Sequence, residues 1–150
     1  MRDAVVSGAI AVASLNALPG LLGAWCWYRG EVSRSFWVLL RIGQGSALAL
    51  ALTVGSLAAV GRYSSDQLFY LYALLPLAVG FVAEQLRVAS AQTILDQRDL
   101  EGAQAVGGLP EGEQREVVDA ILRREMGTMA LSALVVVFLA LRASSTAHGF

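Results

Sequence analysis

The stretch WVLLRIGQGSALALALTVG, residues 37–55, decides the fold of this 150-residue chain. It is apolar along almost its whole length, and roughly 20 such residues in an α-helix cross the hydrocarbon of a bilayer. Its one charged side chain is Arg41, a short way inside the apolar run, and Gln44 follows one turn later. A charge at this depth is costly unless another group compensates it. The stretch therefore predicts a transmembrane helix whose charge is paired with a neighbouring helix.

The rest of the chain has the composition of a membrane protein. Hydrophobic residues make up 56% and charged residues only 15%, whereas a soluble domain is about 25% charged. We predict an all-α integral membrane protein, a four-transmembrane-helix bundle with a cytoplasmic helical hairpin between helices 3 and 4. The predicted transmembrane helices cover about 4–28, 36–61, 67–87 and 126–142, and the cytoplasmic arm about 88–125. The net charge of −1 gives no reason to expect nucleic-acid binding.

The arginines predict the orientation of the chain. Four crossings would place eight of the eleven basic residues on the side of the first and third loops. Basic residues concentrate on the cytoplasmic side, so both termini are expected outside the cytoplasm. Tryptophan and tyrosine flank the predicted helices, as in interfacial belts. The alanine-, glycine- and arginine-rich composition without lysine indicates a bacterial plasma membrane.

Glu84 is the expected partner of Arg41. A short turn around Ser64 joins helices 2 and 3, with Arg41 and Glu84 at similar distances on either side of it. At a rise of 1.5 Å per residue, their depths differ by about 5 Å. Arg87 shares the helix face of Glu84, so we predict an intramembrane polar cluster of Arg41, Gln44, Glu84 and Arg87. Two interpretations stay open: the cluster pins helix 2 to helix 3, or it binds an anion or headgroup or moves protons.

Small residues recur along helix 2 at a strict four-residue spacing. This helix-packing face consists of Gly43, Ala47, Ala51, Gly55 and Ala59. Such a face lets another helix approach closely. The neighbouring helix could belong to this chain or to another protein.

Pro19 follows Asn16 in helix 1, and Pro76 interrupts helix 3. A proline inside a helix leaves a carbonyl without its hydrogen bond, so we expect kinks. Asn16 and Pro19 form a helix-kink polar site near the midplane. Asn16 either bonds to a neighbouring helix or lines a binding site, as broken helices do in transporters.

The segment between helices 3 and 4 is expected to be helical. It contains no proline until Pro110, and helix 3 is expected to run to Val106, where Gly107 and Gly108 stop it. A second helix would begin at Pro110, antiparallel to the first. It carries an apolar, partner-docking face: Val117, Val118, Ile121 and Leu122. A hairpin standing out from the membrane is favoured over a helix lying flat on it, because surface helices are usually rich in basic residues.

The sequence offers little chemistry for catalysis. Cys26 is the one cysteine and His148 the one histidine, so we expect no disulfide, haem, cofactor or metal site. No nucleophile–base pair is recognisable, and we expect no enzyme. The leading hypothesis is a non-catalytic accessory or assembly subunit of a larger membrane protein complex, with the lipid bilayer and other subunits, or copies of itself, as partners. The alternative is a small homo-oligomeric transporter or channel that uses the Arg/Glu cluster.

Overall fold

A computed structural model describes residues 2–147, so His148 lies outside the described part of the chain. Within it the fold is all-helical, as predicted. The helices are α1 (Arg2–Arg29), α2 (Arg34–Ala59), α3 (Gln67–Gln97), α4 (Ala103–Gly107) and α5 (Glu111–Thr146). Four of them, all except α4, are long and apolar enough to cross a membrane. The prediction of four such helices is confirmed.

Local sequence signals fix several helix ends. The Ser33 hydroxyl accepts a hydrogen bond from the backbone of Phe36 at the start of α2, and the Asp66 carboxylate accepts one from Leu68 at the start of α3. These are N-caps that satisfy otherwise free N–H groups. After the C-terminal ends of α1 and α2, Gly30 and Gly61 adopt positive φ angles of 72° and 76°. Glycine takes this left-handed conformation without steric cost, which lets the chain close the last helical turn.

The prediction that helix 3 continues to Val106 is wrong, because α3 ends at Gln97. Asp99 adopts a φ of 53° there, and the amides of Asp99 and Leu100 donate to the carbonyls of Asp96 and Leu95. This is the same C-terminal closure that glycine makes in α1 and α2. Aspartate is one of the few other residues that visit this conformation. The remainder of the expected helix is reduced to the five residues of α4.

Helix α5 joins the second arm segment and the fourth predicted transmembrane helix without a break, and its 36 residues make a rod of about 54 Å. It packs most extensively against α1 and α3, while α2 packs against α1 and, over a smaller area, against α3. The four long helices are therefore neighbours in the cyclic order α2, α1, α5, α3. Packing of α3 on α5 is compatible with the predicted cytoplasmic hairpin, which stays a prediction.

Helices α1 and α5 approach closely through glycine and alanine. A Cβ atom on Gly23 would lie 2.7 Å from the Cβ of Ala130 and 2.4 Å from the ring of Phe36. A Cβ on Gly20 would lie 2.7 Å from the side chain of Leu134. Close backbone contact maximises van der Waals packing, which is the main attraction between helices in lipid. Neither Pro19 nor Pro76 ends its helix; both are buried inside continuous helices.

Candidate functional site

The four residues of the predicted intramembrane cluster meet at one end of the α2–α3 contact. Nη1 of Arg41 donates to Oε1 of Glu84 at 2.6 Å and to Oε1 of Gln44 at 2.7 Å. Nε2 of Gln44 donates to the same Glu84 oxygen at 3.2 Å. Arg41 and Gln44 are three residues apart and lie on one face of α2, so both can reach a single carboxylate on α3.

Arg87 completes the cluster from the other side of the same carboxylate. Its Nε lies 3.4 Å from Oε2 of Glu84, a charge contact that lacks the alignment of a hydrogen bond. Its guanidinium carbon lies 5.6 Å from the ring centre of Trp37, in cation–π contact. Glu84 thus bridges two arginines, and the aromatic ring supports one of them.

A fourth charged side chain, Glu125 of α5, belongs to the surroundings of the cluster. Burial raises the pKa of its carboxyl, while the nearby charge of Arg87 lowers it and that of Glu84 raises it. Sequence reasoning missed Glu125 because it stands at the boundary of the predicted fourth transmembrane helix, among solvated acids of the arm. Its position directly before Met126, where the apolar run begins, is the one signal that could have indicated it.

Asn16 is buried between α1 and α2, with 1% of its surface exposed. Its amide donates to the carbonyl of Val12 in its own helix at 2.9 Å and to the carbonyl of Gly43 in α2 at 3.1 Å. A Cβ on Gly43 would lie 2.7 Å from the Asn16 side-chain oxygen. The glycine therefore makes room for the amide, and the amide joins the two helices. This contact corresponds to the interpretation in which Asn16 bonds to a neighbouring helix.

Asn16 of α1 and three members of the polar cluster line one crevice of about 270 Å³, whose other walls belong to α2, α3 and α5. The polar residues Arg41, Gln44 and Glu84 stand at one part of its wall, and the remaining lining is largely apolar. Pro76 and Gly80 line the α3 wall, and a Cβ on Gly80 would meet no atom within 4 Å. The smaller contact between α2 and α3 leaves this space open. A polar end and an apolar body suit an amphipathic small molecule or a lipid tail.

The predicted helix-packing face of α2 divides into two halves. Gly43, Ala47 and Ala51 are buried, whereas Gly55 and Ala59 are exposed. A Cβ on Gly55 would have no neighbour within 4 Å. The first half is used inside this chain, and the second half is uncovered.

The predicted partner-docking face on α5 is also divided. Val117 is completely buried, Ile121 and Leu122 are partly buried, and Val118 is 45% exposed. Most of this apolar face therefore packs within the chain.

Comparison with protein-family models, curated proteins and solved structures finds no match to this chain. Within residues 2–147, no three histidine, cysteine, aspartate or glutamate side chains lie in a group that could hold a metal ion. The features of the described residues that bear on function are the polar cluster, the crevice and the uncovered helix faces.

Proposed function

We propose that this chain is a multi-pass membrane protein that serves as a non-catalytic accessory or assembly subunit of a larger membrane protein complex. The observation that carries the proposal is the uncovered half of the α2 packing face, at Gly55 and Ala59. Small residues offer lipid tails little van der Waals contact, but they allow a second helix to approach closely. The occupied half of the same face, at Gly43, illustrates how closely a helix can pack there.

The polar groups support this role because they bond to one another. Glu84 accepts hydrogen bonds from Arg41 and Gln44, and Asn16 donates to the carbonyl of Gly43. Each of these bonds joins two helices. A scaffold needs such contacts to hold its helices in place, and they leave fewer donors and acceptors for a passing solute.

The charge distribution supports a location and an orientation for the protein. We place the protein in a bacterial plasma membrane with both termini outside the cytoplasm, because eight of the eleven arginines then lie on the cytoplasmic side. The arm, about 88–125, would extend on that side, and the exposed Val118 of α5 is one of its residues available to a partner.

Mild extraction from the native membrane followed by native mass spectrometry tests the proposal. We expect stoichiometric co-purification with larger, different subunits, and loss of those subunits in Gly55→Leu. The matched control is Gly45→Leu on the same helix, since a Cβ there also meets no atom within 4 Å but lies outside the four-residue repeat. A monomer without partners, or equal partner retention in both variants, would contradict the proposal.

A second candidate, a small homo-oligomeric transporter or channel, is favoured by the crevice of about 270 Å³ that joins Asn16 to Arg41 and Glu84. The variant Glu84→Gln separates the two functions. An assembly role predicts lost partners or lower yield. A transport role predicts normal assembly with reduced flux through reconstituted vesicles.

A further inference from the structure

A second cavity lies on the other side of the bundle, between α1 and α5. This groove, the Trp27 groove, has a volume of about 440 Å³. Its lining includes Ala24, Trp27, Arg124, Thr128, Leu131 and Leu134. Leu131 is 65% exposed and Trp27 is 60% exposed, so the groove opens to the outer surface of the bundle. It shares no lining residue with the crevice beside Glu84.

Gly127 shapes one end of the groove. A Cβ atom on this residue would lie 3.1 Å from the indole Nε1 and Cε2 of Trp27. The indole therefore rests directly on the backbone of α5. Tryptophan is enriched where membrane proteins meet the headgroup region, and this position puts the ring at the mouth of an apolar groove.

Arg123 and Arg124 bring positive charge to the same end. Arg124 lines the groove. Arg123 is not part of the lining, but its Nη1 lies 3.3 Å from where a Cβ on Gly30 would be, directly after the end of α1. Within residues 2–147, neither guanidinium forms an ion pair. The next residue, Glu125, is partly buried and forms no ion pair with either guanidinium among the described residues.

The groove is polar at one end and apolar along the rest of its length. Leu131 and Leu134 follow Arg124 by seven and ten residues on the same continuous helix. At 1.5 Å per residue they lie about 10 and 15 Å further along α5. A ligand with one anionic group and a flexible apolar chain matches this arrangement.

We propose that the Trp27 groove binds one anionic phospholipid of the surrounding bilayer. Its phosphate contacts Arg123 and Arg124, and one acyl chain lies between Trp27 and Leu134. Basic pockets between transmembrane helices on the cytoplasmic side recognise anionic headgroups in this way. The inference rests on the membrane location proposed above and is independent of the accessory role.

The test is lipid retention measured by native mass spectrometry after reconstitution into vesicles of phosphatidylglycerol and phosphatidylcholine in equal amounts. We expect the wild-type protein to retain one phosphatidylglycerol in preference to phosphatidylcholine. The preference should fall about fivefold in Arg124→Gln and further in the Arg123→Gln/Arg124→Gln variant. The control is Arg98→Gln, an exposed arginine distant in sequence from the groove lining, which should keep the preference.

Ala24→Phe provides an independent variant, because it fills the groove and leaves both arginines in place. We expect it to lose the retained lipid. Equal retention of the two lipids by the wild-type protein, or an unchanged preference in the double arginine variant, would overturn the proposal.

Resistance of the protein to carbonate extraction is measured in parallel. Release by carbonate contradicts the membrane location, whereas a retained protein without lipid preference contradicts the lipid site alone.

Discussion

The two sides of the bundle are held together in different ways. Helices α1 and α5 meet over a long contact in which Gly20 and Gly23 leave no room for even a methyl group. Helices α2 and α3 meet over a smaller contact, where a carboxylate joins two arginines and a crevice remains beside them. Close packing at the two glycines holds the first pair, although the Trp27 groove opens on its outer surface. A few directed polar bonds hold the second pair beside the crevice.

The largest effect is expected where the packing is tightest. In Gly23→Ala the new methyl group would lie 2.4 Å from the ring of Phe36, a residue with no exposed surface. Either the ring or the helix must move, and overpacking of this kind costs about 3 kcal/mol of the free energy of unfolding. Unfolding in mixed micelles, followed by circular dichroism, measures the loss. A stability equal to that of the wild type would contradict this prediction, because it would show that the ring or the helix moves aside at no cost.

A smaller loss is expected at the α1–α2 contact. Gly43→Ala would place a methyl group 2.7 Å from the side-chain oxygen of Asn16. A single side chain can shift more easily than the backbone, so the cost should be about 2 kcal/mol, including a weakened hydrogen bond to the carbonyl of residue 43. Gly45→Ala is the matched control, because a methyl group there meets no atom within 4 Å. Equal stabilities of the two variants would contradict the interpretation.

The polar side of the comparison is tested by a double-mutant cycle on Arg41→Gln and Glu84→Gln. We expect a coupling of about 1 kcal/mol, because interhelical polar bonds in membranes contribute amounts of this order. Glu84→Gln also leaves Arg41 and Arg87 without the charge between them. The same cycle on Glu111 and Arg115, an exposed pair 4.0 Å apart, should give no measurable coupling. A coupling that is also absent at Glu84 would remove the structural role of the cluster.

The smallest effect is expected beside the crevice, and with the opposite sign. Gly80→Ala adds a methyl group to open space on α3. Alanine restricts the unfolded chain more than glycine does, so the free energy of unfolding should rise by about 0.5 kcal/mol. The same unfolding measurement checks it, with Gly23→Ala as the contrasting substitution. A clear destabilisation would mean that α2 or α5 closes over this position.

Much of the fold could be predicted from local patterns. The charge-free stretches mark the four long helices, and the spacing of Arg41 and Glu84 from the α2–α3 turn brings them to one depth. Helix periodicity and the fixed rise per residue suffice for both conclusions. The predicted end of helix 3 is wrong because Asp99 adopts the left-handed conformation that closes the helix, and the sequence pattern associates this conformation with glycine.

Other features depend on which helices are neighbours, and no single-helix pattern contains that information. Small residues occur on every face of α1 and α2, so the sequence does not distinguish Gly23, which packs against α5, from Gly55, which is uncovered. Glu125 resembles the acids of the arm until α5 packs beside α3. Sequence sets the length, polarity and depth of each helix, because these depend on residues close together along the chain. Tertiary packing alone decides which small faces are covered and which charges meet, because van der Waals contact and hydrogen bonds act only between atoms that the fold has brought together.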